Sequence, residues 1–223
     1  MPGAETGAGP EIGREIEREV DREIGSACPN VSAVILAGGR ATRMGGTDKG
    51  LVELRGVPLV ARICTALAPQ VAELMINANR NLEHYRQLGY KVVRDHLADH
   101  QGPLAGMHAA LLQAAHPWLL TIPCDGPFVA ADYARRMLDA AHGHHVRLAV
   151  AHDGKRAQPV HSLIHRDLAP DLEQFLQSGE RKIDRWHERH AFAEVDFSDY
   201  YALFTNINTP RQLAELEQRT PKI

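Results

Sequence analysis

Apolar positions in this chain fall into two kinds of pattern, and their alternation predicts the fold. Val31 to Leu36 (VSAVIL) is a β-branched, almost wholly apolar run stopped by Ala37, Gly38 and Gly39, as in a buried parallel strand that runs into a glycine loop. Pro58 to Leu67 then reads as a helix, with the proline in the first turn where its missing N–H costs nothing. A strand over Glu73 to Ala78 follows, then a helix near Leu82 to Leu88, a turn at Gly89 and a strand over Lys91 to Arg94. Beyond a loop from Asp95 to Gly102 come an Ala-rich helix (Leu104 to Ala115) and a strand (Trp118 to Ile122) ending in Pro123-Cys124-Asp125-Gly126-Pro127. The remainder predicts a helix over Ala131 to Ala141, strands near Leu148 to Ala151 and Val160 to Ile164, a helix over Leu168 to Leu176, a strand near Phe192 to Asp196 and a last helix from Pro210. The fold class is α/β, with a mostly parallel sheet covered by helices on both faces.

Before this alternation the chain behaves differently. Residues 1–10 are mostly Gly, Ala and Pro and predict disorder. Ile12, Ile16, Val20 and Ile24 recur every four residues beside the pairs Glu11/Arg14, Glu15/Arg18 and Glu19/Arg22, which predicts a short helix ended by Gly25. Residues 1–30 are therefore expected to form an acidic extension, and residues 31–223 a single domain.

Ligands of open α/β sheets bind outside the carboxyl ends of the strands. Gly38-Gly39, Asn77, Asp95 and Asp125 each lie within a residue or two of such an end. Four separate parts of the chain converge on one edge, which points to an enzyme.

Composition narrows the class. With 223 residues, 44% hydrophobic and 24% charged, the chain has ordinary globular values, and no run approaches the roughly 18 apolar residues of a membrane span. The 25 Lys+Arg against 28 Asp+Glu give a net charge of −3, far from the basic balance of a nucleic-acid-binding domain. Residues 1–30 carry three basic and seven acidic residues, leaving 22 basic against 21 acidic for the rest. Three cysteines (Cys28, Cys64, Cys124) without C-x-x-C spacing suggest neither disulfides nor a cysteine zinc site. A reducing compartment, the cytoplasm, is the expected location, since the N-terminus has no secretory or transit pattern.

The candidate chemistry centres on Leu36 to Lys49, LAGGRATRMGGTDK. Four glycines let backbone amides approach a ligand, and Arg40, Arg43 and Lys49 add three cations, a combination suited to a polyphosphate. Its spacing matches neither the dinucleotide fingerprint nor a P-loop. Asp125, presented between two prolines, suits a magnesium ion, which takes one or two protein carboxylates and otherwise waters and phosphate oxygens; a helix N-cap is the competing role. Asp95 has the same two readings. In Asn206-Ile207-Asn208-Thr209-Pro210 two amides lie two residues apart, and Asn208 or Thr209 also suits a helix cap. His96 and His100 near Asp95 and Asp99, and the cluster His142, His144 and His145, invite a zinc reading, but neither comes with the third ligand of a recognisable motif and both read as solvated loop positions. Cys124 reads as a small buried hydrophobe, and Leu104, Met107, His108, Leu111 and Leu112 as a core stripe.

LAGGRATRMGGTDKG followed by GVPLV resembles the N-terminal signature of nucleotidyltransferases that activate small molecules with a nucleoside triphosphate. NANR (77–80), DHLADHQGPLAGM (95–107), PCDGPFV (123–129) and NINTP (206–210) resemble, within that group, the molybdenum cofactor guanylyltransferases. The resemblance implies a Rossmann-like nucleotidyltransferase domain that joins GMP from GTP to the phosphate of molybdopterin or its molybdenum form and releases pyrophosphate. It implies that Leu36, Ala37, Gly38, Gly39, Lys49, Asn77, Asp95 and Asp125 bind GTP and that Asp125 also holds Mg²⁺. Arg43, Lys49 and Asp125 would carry the chemistry, with Asn206 and Asn208 beside the active site. Proteins that make and receive the cofactor are the implied partners, with no nucleic acid and no membrane. One departure is Gly126, where the family commonly has Thr. A cytidylyltransferase on the same cofactor, a sugar-1-phosphate nucleotidyltransferase and a non-catalytic nucleotide-binding regulator are the competing functions, and Leu36-Ala37-Gly38-Gly39, in place of LAAG, argues for GTP.

Overall fold

The buried run becomes β1 (Cys28–Leu36), and the main sheet is arranged around it. The computed structural model describes residues 27–38, 48–96 and 102–219. The predicted N-terminal helix, Gly39, Arg40, Arg43, Asp99 and His100 lie outside the described residues. The other strands are β2 (Glu53–Leu54), β3 (Val57–Pro58), β4 (Val71–Asn77), β5 (Lys91–Val93), β6 (Trp118–Pro123), β7 (Leu148–His152), β8 (Ala157–His165) and β9 (Ala193–Asp196). Seven of the described strands form one sheet in the order β5-β4-β1-β6-β8-β7-β9. β1 is parallel to β4 on one side and β6 on the other, in registers that bring Leu36 level with both Asn77 and Pro123. The chain therefore crosses to opposite sides of β1, and the ends of β1, β4 and β6 open onto one edge.

Period-two alternation assigns the two layers. Val31, Ala33 and Ile35 of β1 join one core and Val34 and Leu36 the other. The first layer is built by α1 (Leu59–Leu67), α2 (Leu82–Arg86) and α4 (Tyr133–Gly143), through side chains such as Ile63, Tyr85 and Met137. The second is built by α3 (Pro103–Leu111), α5 (Ala169–Gln177) and α6 (Ile183–His187), through Met107, Leu172 and Trp186. Ser32, the polar residue of the run, is buried but satisfied: its hydroxyl donates to Glu73 (2.6 Å) and accepts from the His116 amide (3.2 Å). A third small core joins Val52, Leu54, Leu59 and Ile207 to Leu213 and Leu216 of α7 (Pro210–Arg219), so the last helix is anchored to the β2-β3 hairpin rather than to the sheet.

Several elements differ from expectation. β1 begins at Cys28 rather than Val31, because buried Cys28 precedes two exposed residues, Pro29 and Asn30, and the register shifts between Cys28 and Ser32. The Ala-rich helix stops at Leu111, which leaves Leu112 57% exposed and outside the core stripe. β8 runs antiparallel to both β6 and β7, a direction that hydrophobic pattern does not encode. The β2-β3 hairpin, turning on Arg55 and Gly56 at positive φ, and helix α6 are too short to show a period. In the His142 to His145 cluster, His142 packs edge-on against Trp118 at 5.8 Å, and no group of three metal-ligating side chains occurs among the described residues.

Among the buried histidines of the described residues, His161 and His187 are the ones that burial shifts furthest toward the neutral form. His161, 4% exposed and within 3.3 Å of the Tyr133 hydroxyl, is pushed by burial down to about 3, and burial followed by the His190 charge takes His187 down to about 4. In the unfolded chain both titrate near 6.5, so their contribution to stability is complete above that pH and is lost as the unfolded state takes up protons below it, down to the folded values. Urea unfolding at pH 7 and pH 5 is expected to show a loss on the order of 2 kcal/mol per buried histidine, and His187→Gln a shallower pH dependence than the unaltered chain. Equal unfolding midpoints at the two pH values would exclude this account.

Candidate active site

The edge formed by the ends of β1, β4, β5 and β6 collects two polar clusters. The first lies on the β4-β5 side. Asn77, 2% exposed at the last position of β4, donates its amide to the Asp95 carboxylate (2.8 Å) and to the Val93 carbonyl (3.2 Å). Asn79 donates to the other Asp95 oxygen (2.8 Å) and accepts from the Asp95 backbone N–H (3.0 Å), so two asparagines hold both oxygens of one carboxylate. Ala37 donates its backbone N–H to the Asn77 carbonyl (2.8 Å), and a Cβ at Gly38 would lie 3.0 Å from the Asn77 side-chain oxygen. Gly106 in α3 is needed for the same reason: its Cβ would overlap that oxygen. Asp95 is thus not a helix cap, since α3 starts later, behind Gly102 at φ +74°.

The second cluster lies at the end of β6. Cys124 donates its backbone N–H to the Leu36 carbonyl (3.2 Å), carrying the sheet register one residue past the strand and fixing where Asp125 emerges. Lys49 opens a 3-10 turn (Lys49–Leu51), and its ammonium donates to Asp125 Oδ2 at 3.2 Å and to the Asn208 side-chain oxygen. The Lys49 and Asp125 side chains are 26% and 16% exposed, so the pair faces the edge without being submerged. Asp125 caps no helix; α4 begins eight residues later. Cys124 is buried, and burial first, then the charges of Asp125 and Asp48, push its thiol well above the ordinary range, which makes it a hydrophobe rather than a nucleophile.

Asn208 reaches Lys49 because the cap of α7 is provided elsewhere. Thr209 Oγ1 accepts from the Gln212 N–H (3.2 Å), and Gln212 Oε1 accepts from the Asn208 N–H (2.8 Å), a reciprocal capping arrangement that leaves the Asn208 side chain free for the ammonium. Ile207, buried between the two asparagines, donates its N–H to the Asp125 carbonyl at 2.8 Å. At Gly126 a Cβ would come within 3.2 Å of the Thr205 carbonyl and 3.4 Å of the Asn206 side-chain oxygen, so the 205–208 segment closes directly over the Asp125 turn.

Of the residues singled out from sequence, Leu36, Ala37, Gly38, Asn77 and Asp95 lie in or beside the first cluster and Lys49, Asp125, Asn206 and Asn208 in or beside the second. Gly39 and Arg43 are outside the described residues. Asn79, Gly106 and Asp48 were missed. Asn79 and Gly106 stood inside the quoted motifs NANR and GPLAGM, and Asp48 next to Lys49, so adjacency was the available signal.

The donor set at β6 suits a hard divalent cation. Among the described residues only Oδ2 of Asp125 is bonded, leaving Oδ1 as a carboxylate oxygen at the edge with a neutral amide nearby, which fits an ion that takes few protein ligands and completes its shell with phosphate and water.

Comparison with known proteins identifies the family and the fold. Residues 33–192 match the model of the MobA-like NTP transferase domain. The molybdenum cofactor guanylyltransferase of Shewanella sediminis (strain HAW-EB3) is 47% identical over 192 residues, which cover 86% of this chain and 98% of that relative. Molybdopterin-guanine dinucleotide biosynthesis protein A from Archaeoglobus fulgidus has the same fold, with a TM-score of 0.70 at 22% identity over 84% of this chain and 97% of its own. A Mycobacterium tuberculosis H37Rv protein solved in complex with manganese has a TM-score of 0.60 at 16% identity, over 86% of this chain and 100% of its own. The strand-end carboxylates and the closing asparagine segment thus occur in a chain that belongs to the MobA-like NTP transferase family, alongside relatives named molybdenum cofactor guanylyltransferases.

Proposed function

We propose that the protein transfers the guanylyl group of GTP to the terminal phosphate of molybdopterin or its molybdenum form, with release of pyrophosphate. The observation that carries this reading is the Lys49 ammonium held between Asp125 and Asn208 at the carboxyl end of β6. The names of the relatives supply the acceptor.

The chemistry asks little of the protein beyond alignment. A phosphate monoester has a second pKa of about 6, so the acceptor oxygen is largely deprotonated at neutral pH and no general base is needed. That oxygen attacks the α-phosphorus, the bond from the α-phosphorus to the bridging oxygen breaks, and pyrophosphate departs with the electron pair. Lys49 places a cation against the phosphates, where charge builds on the leaving group. Asp125, whose Oδ1 has no hydrogen-bond partner among the described residues, is the residue that would hold Mg²⁺. When bound, that ion would supply positive charge against the phosphates. Leu36, Ala37 and Gly38 border the edge where the triphosphate would bind, and Gly39 and Arg43 belong to the same reading on their motif positions alone. Asn206 and Asn208 border the reacting phosphates and, being neutral, place dipoles there without changing the net charge.

Asp95 and Asn77 are assigned to the nucleotide. Guanine offers a ring N–H and an amino group, two donors that require an acceptor, and the Asp95 carboxylate retains accepting capacity beyond its bonds from Asn77 and Asn79. Cytosine offers no such paired donor edge.

Lys49→Ala and Asp125→Asn are each expected to slow single-turnover guanylyl transfer by about 100-fold or more, in line with the loss of one preorganised charge partner. Rates within about threefold of the unaltered protein would remove these residues from the mechanism. In a thermal-shift comparison with Mg²⁺, GTP is expected to raise the melting temperature and CTP to leave it unchanged, and Asp95→Asn to abolish that difference. Equal stabilisation by the two nucleotides would reject the assignment of guanine to Asp95.

A further inference from the structure

One buried polar network at this edge has no part in the reaction as described. Asp48, only 6% exposed, precedes Lys49; its Oδ1 accepts from the Tyr85 hydroxyl at 2.6 Å and from the Gly50 N–H at 3.3 Å, and its Oδ2 accepts from the Asn81 amide at 3.1 Å. Capping the 3-10 turn needs only the bond from Gly50. The other two donors come from the start and the buried face of α2, so a carboxylate next to Lys49 is bound to a different element of the fold. Tyr85 is fully buried, and a Cβ at Gly50 would stand 2.7 Å from its hydroxyl oxygen. The residues on both sides of Lys49 therefore rest on one phenol.

This arrangement matters for a lysine more than for most residues. Its four-carbon stem carries about 2 kcal/mol of rotamer entropy, and its ammonium is a point charge with no planar fork to preset its direction. Placing that charge between Asp125 and Asn208 depends on where the backbone of the turn sits and how firmly. The bond from Leu51 N–H to the Asp48 carbonyl (3.0 Å) and that from Val52 N–H to the Lys49 carbonyl (3.2 Å) close the turn on itself but do not tie it to the sheet. Asp48 supplies the tie to α2.

We propose that the Tyr85 hydroxyl, acting through the Asp48 carboxylate, is a positioning group for Lys49. The inference rests on the reading of Lys49 as the phosphate-binding cation.

The test is a double-mutant cycle on the full-length protein, with GTP affinity measured by calorimetry in the presence of Mg²⁺ so that slow variants remain readable. Tyr85→Phe removes the hydroxyl and little volume. It is expected to weaken GTP binding and slow single-turnover transfer by about threefold to tenfold, and to change affinity by less than about 1.5-fold when Lys49→Ala is already present. Asn81→Gly, which keeps the positive φ of 50° accessible, is expected to act in the same direction more weakly. A Tyr85→Phe effect of equal size in both backgrounds would show a merely structural role and overturn the proposal, as would no effect in either. Unchanged affinity and rate for Lys49→Ala alone would instead remove Lys49 from the phosphate site, and the positioning role with it.

Discussion

The Lys49 ammonium is where three distant stretches of chain meet, and much of the architecture near it can be traced to the need to hold one flexible cation between a carboxylate and a neutral amide. Asp125 is 76 residues away in sequence and Asn208 is 159. No local turn chemistry could bring them together. The parallel pairing of β1 with β6 sets the height of Asp125, since the Cys124 N–H continues that ladder onto the Leu36 carbonyl. The third core sets the position of Asn208, because Ile207 is buried against Val52, Leu54 and Leu59, the residues that flank and follow the Lys49 turn. Both partners of the cation are thus referenced to the elements on either side of it.

Neutral and charged groups are divided between the two clusters in a way that fits the proposed reaction. At the β6 end a cation and an anion face each other, and an incoming triphosphate with a divalent ion could exchange partners with both. Beyond β4 the cluster has a carboxylate and two asparagines, whose amides occupy the Asp95 oxygens from within the protein and fix their direction. Gly38 and Gly106 approach Asn77 so closely that a side chain at either would displace it. The glycines of this edge therefore serve packing as well as backbone exposure.

Legibility followed length and period. Strands β1, β4 and β6 were readable as apolar runs, and their ends located Asn77 and Asp125, because a buried parallel strand must be apolar on both faces. The direction of β8 was not readable, since Val160 to Ile164 offers the same pattern in either sense. The hairpin of β2 and β3 and the short helix α6 span too few residues to establish any period. Within the site, charged and glycine positions were legible by type, but the partners that orient them were not. Tyr85 reads as a core aromatic on a helix, and only the fold shows that its hydroxyl meets Asp48. Asn208 and Thr209 were equally good caps by sequence, and the geometry of Gln212 decided between them.

Gly126 stands where the resemblance read from the sequence leads to an expected threonine, and its surroundings give glycine there a physical sense. A Cβ there would press on the Thr205 carbonyl and the Asn206 amide, tighter than ordinary contacts, so a threonine would require the 205–206 backbone to move outward by a few tenths of an ångström. That backbone is pinned by the Ile207 N–H on the Asp125 carbonyl and by Ile207 in the third core. Glycine at 126 and a closely seated asparagine segment are therefore consistent with each other, and the change leaves both the Asp125 carboxylate and its bond to Lys49 in place. A hydroxyl lost at 126 removes one polar group from the edge, while the amides of Asn206 and Asn208 sit against the same turn. The metal and phosphate roles proposed for this edge rest on the carboxylate, the ammonium and the amides, none of which depends on a side chain at 126.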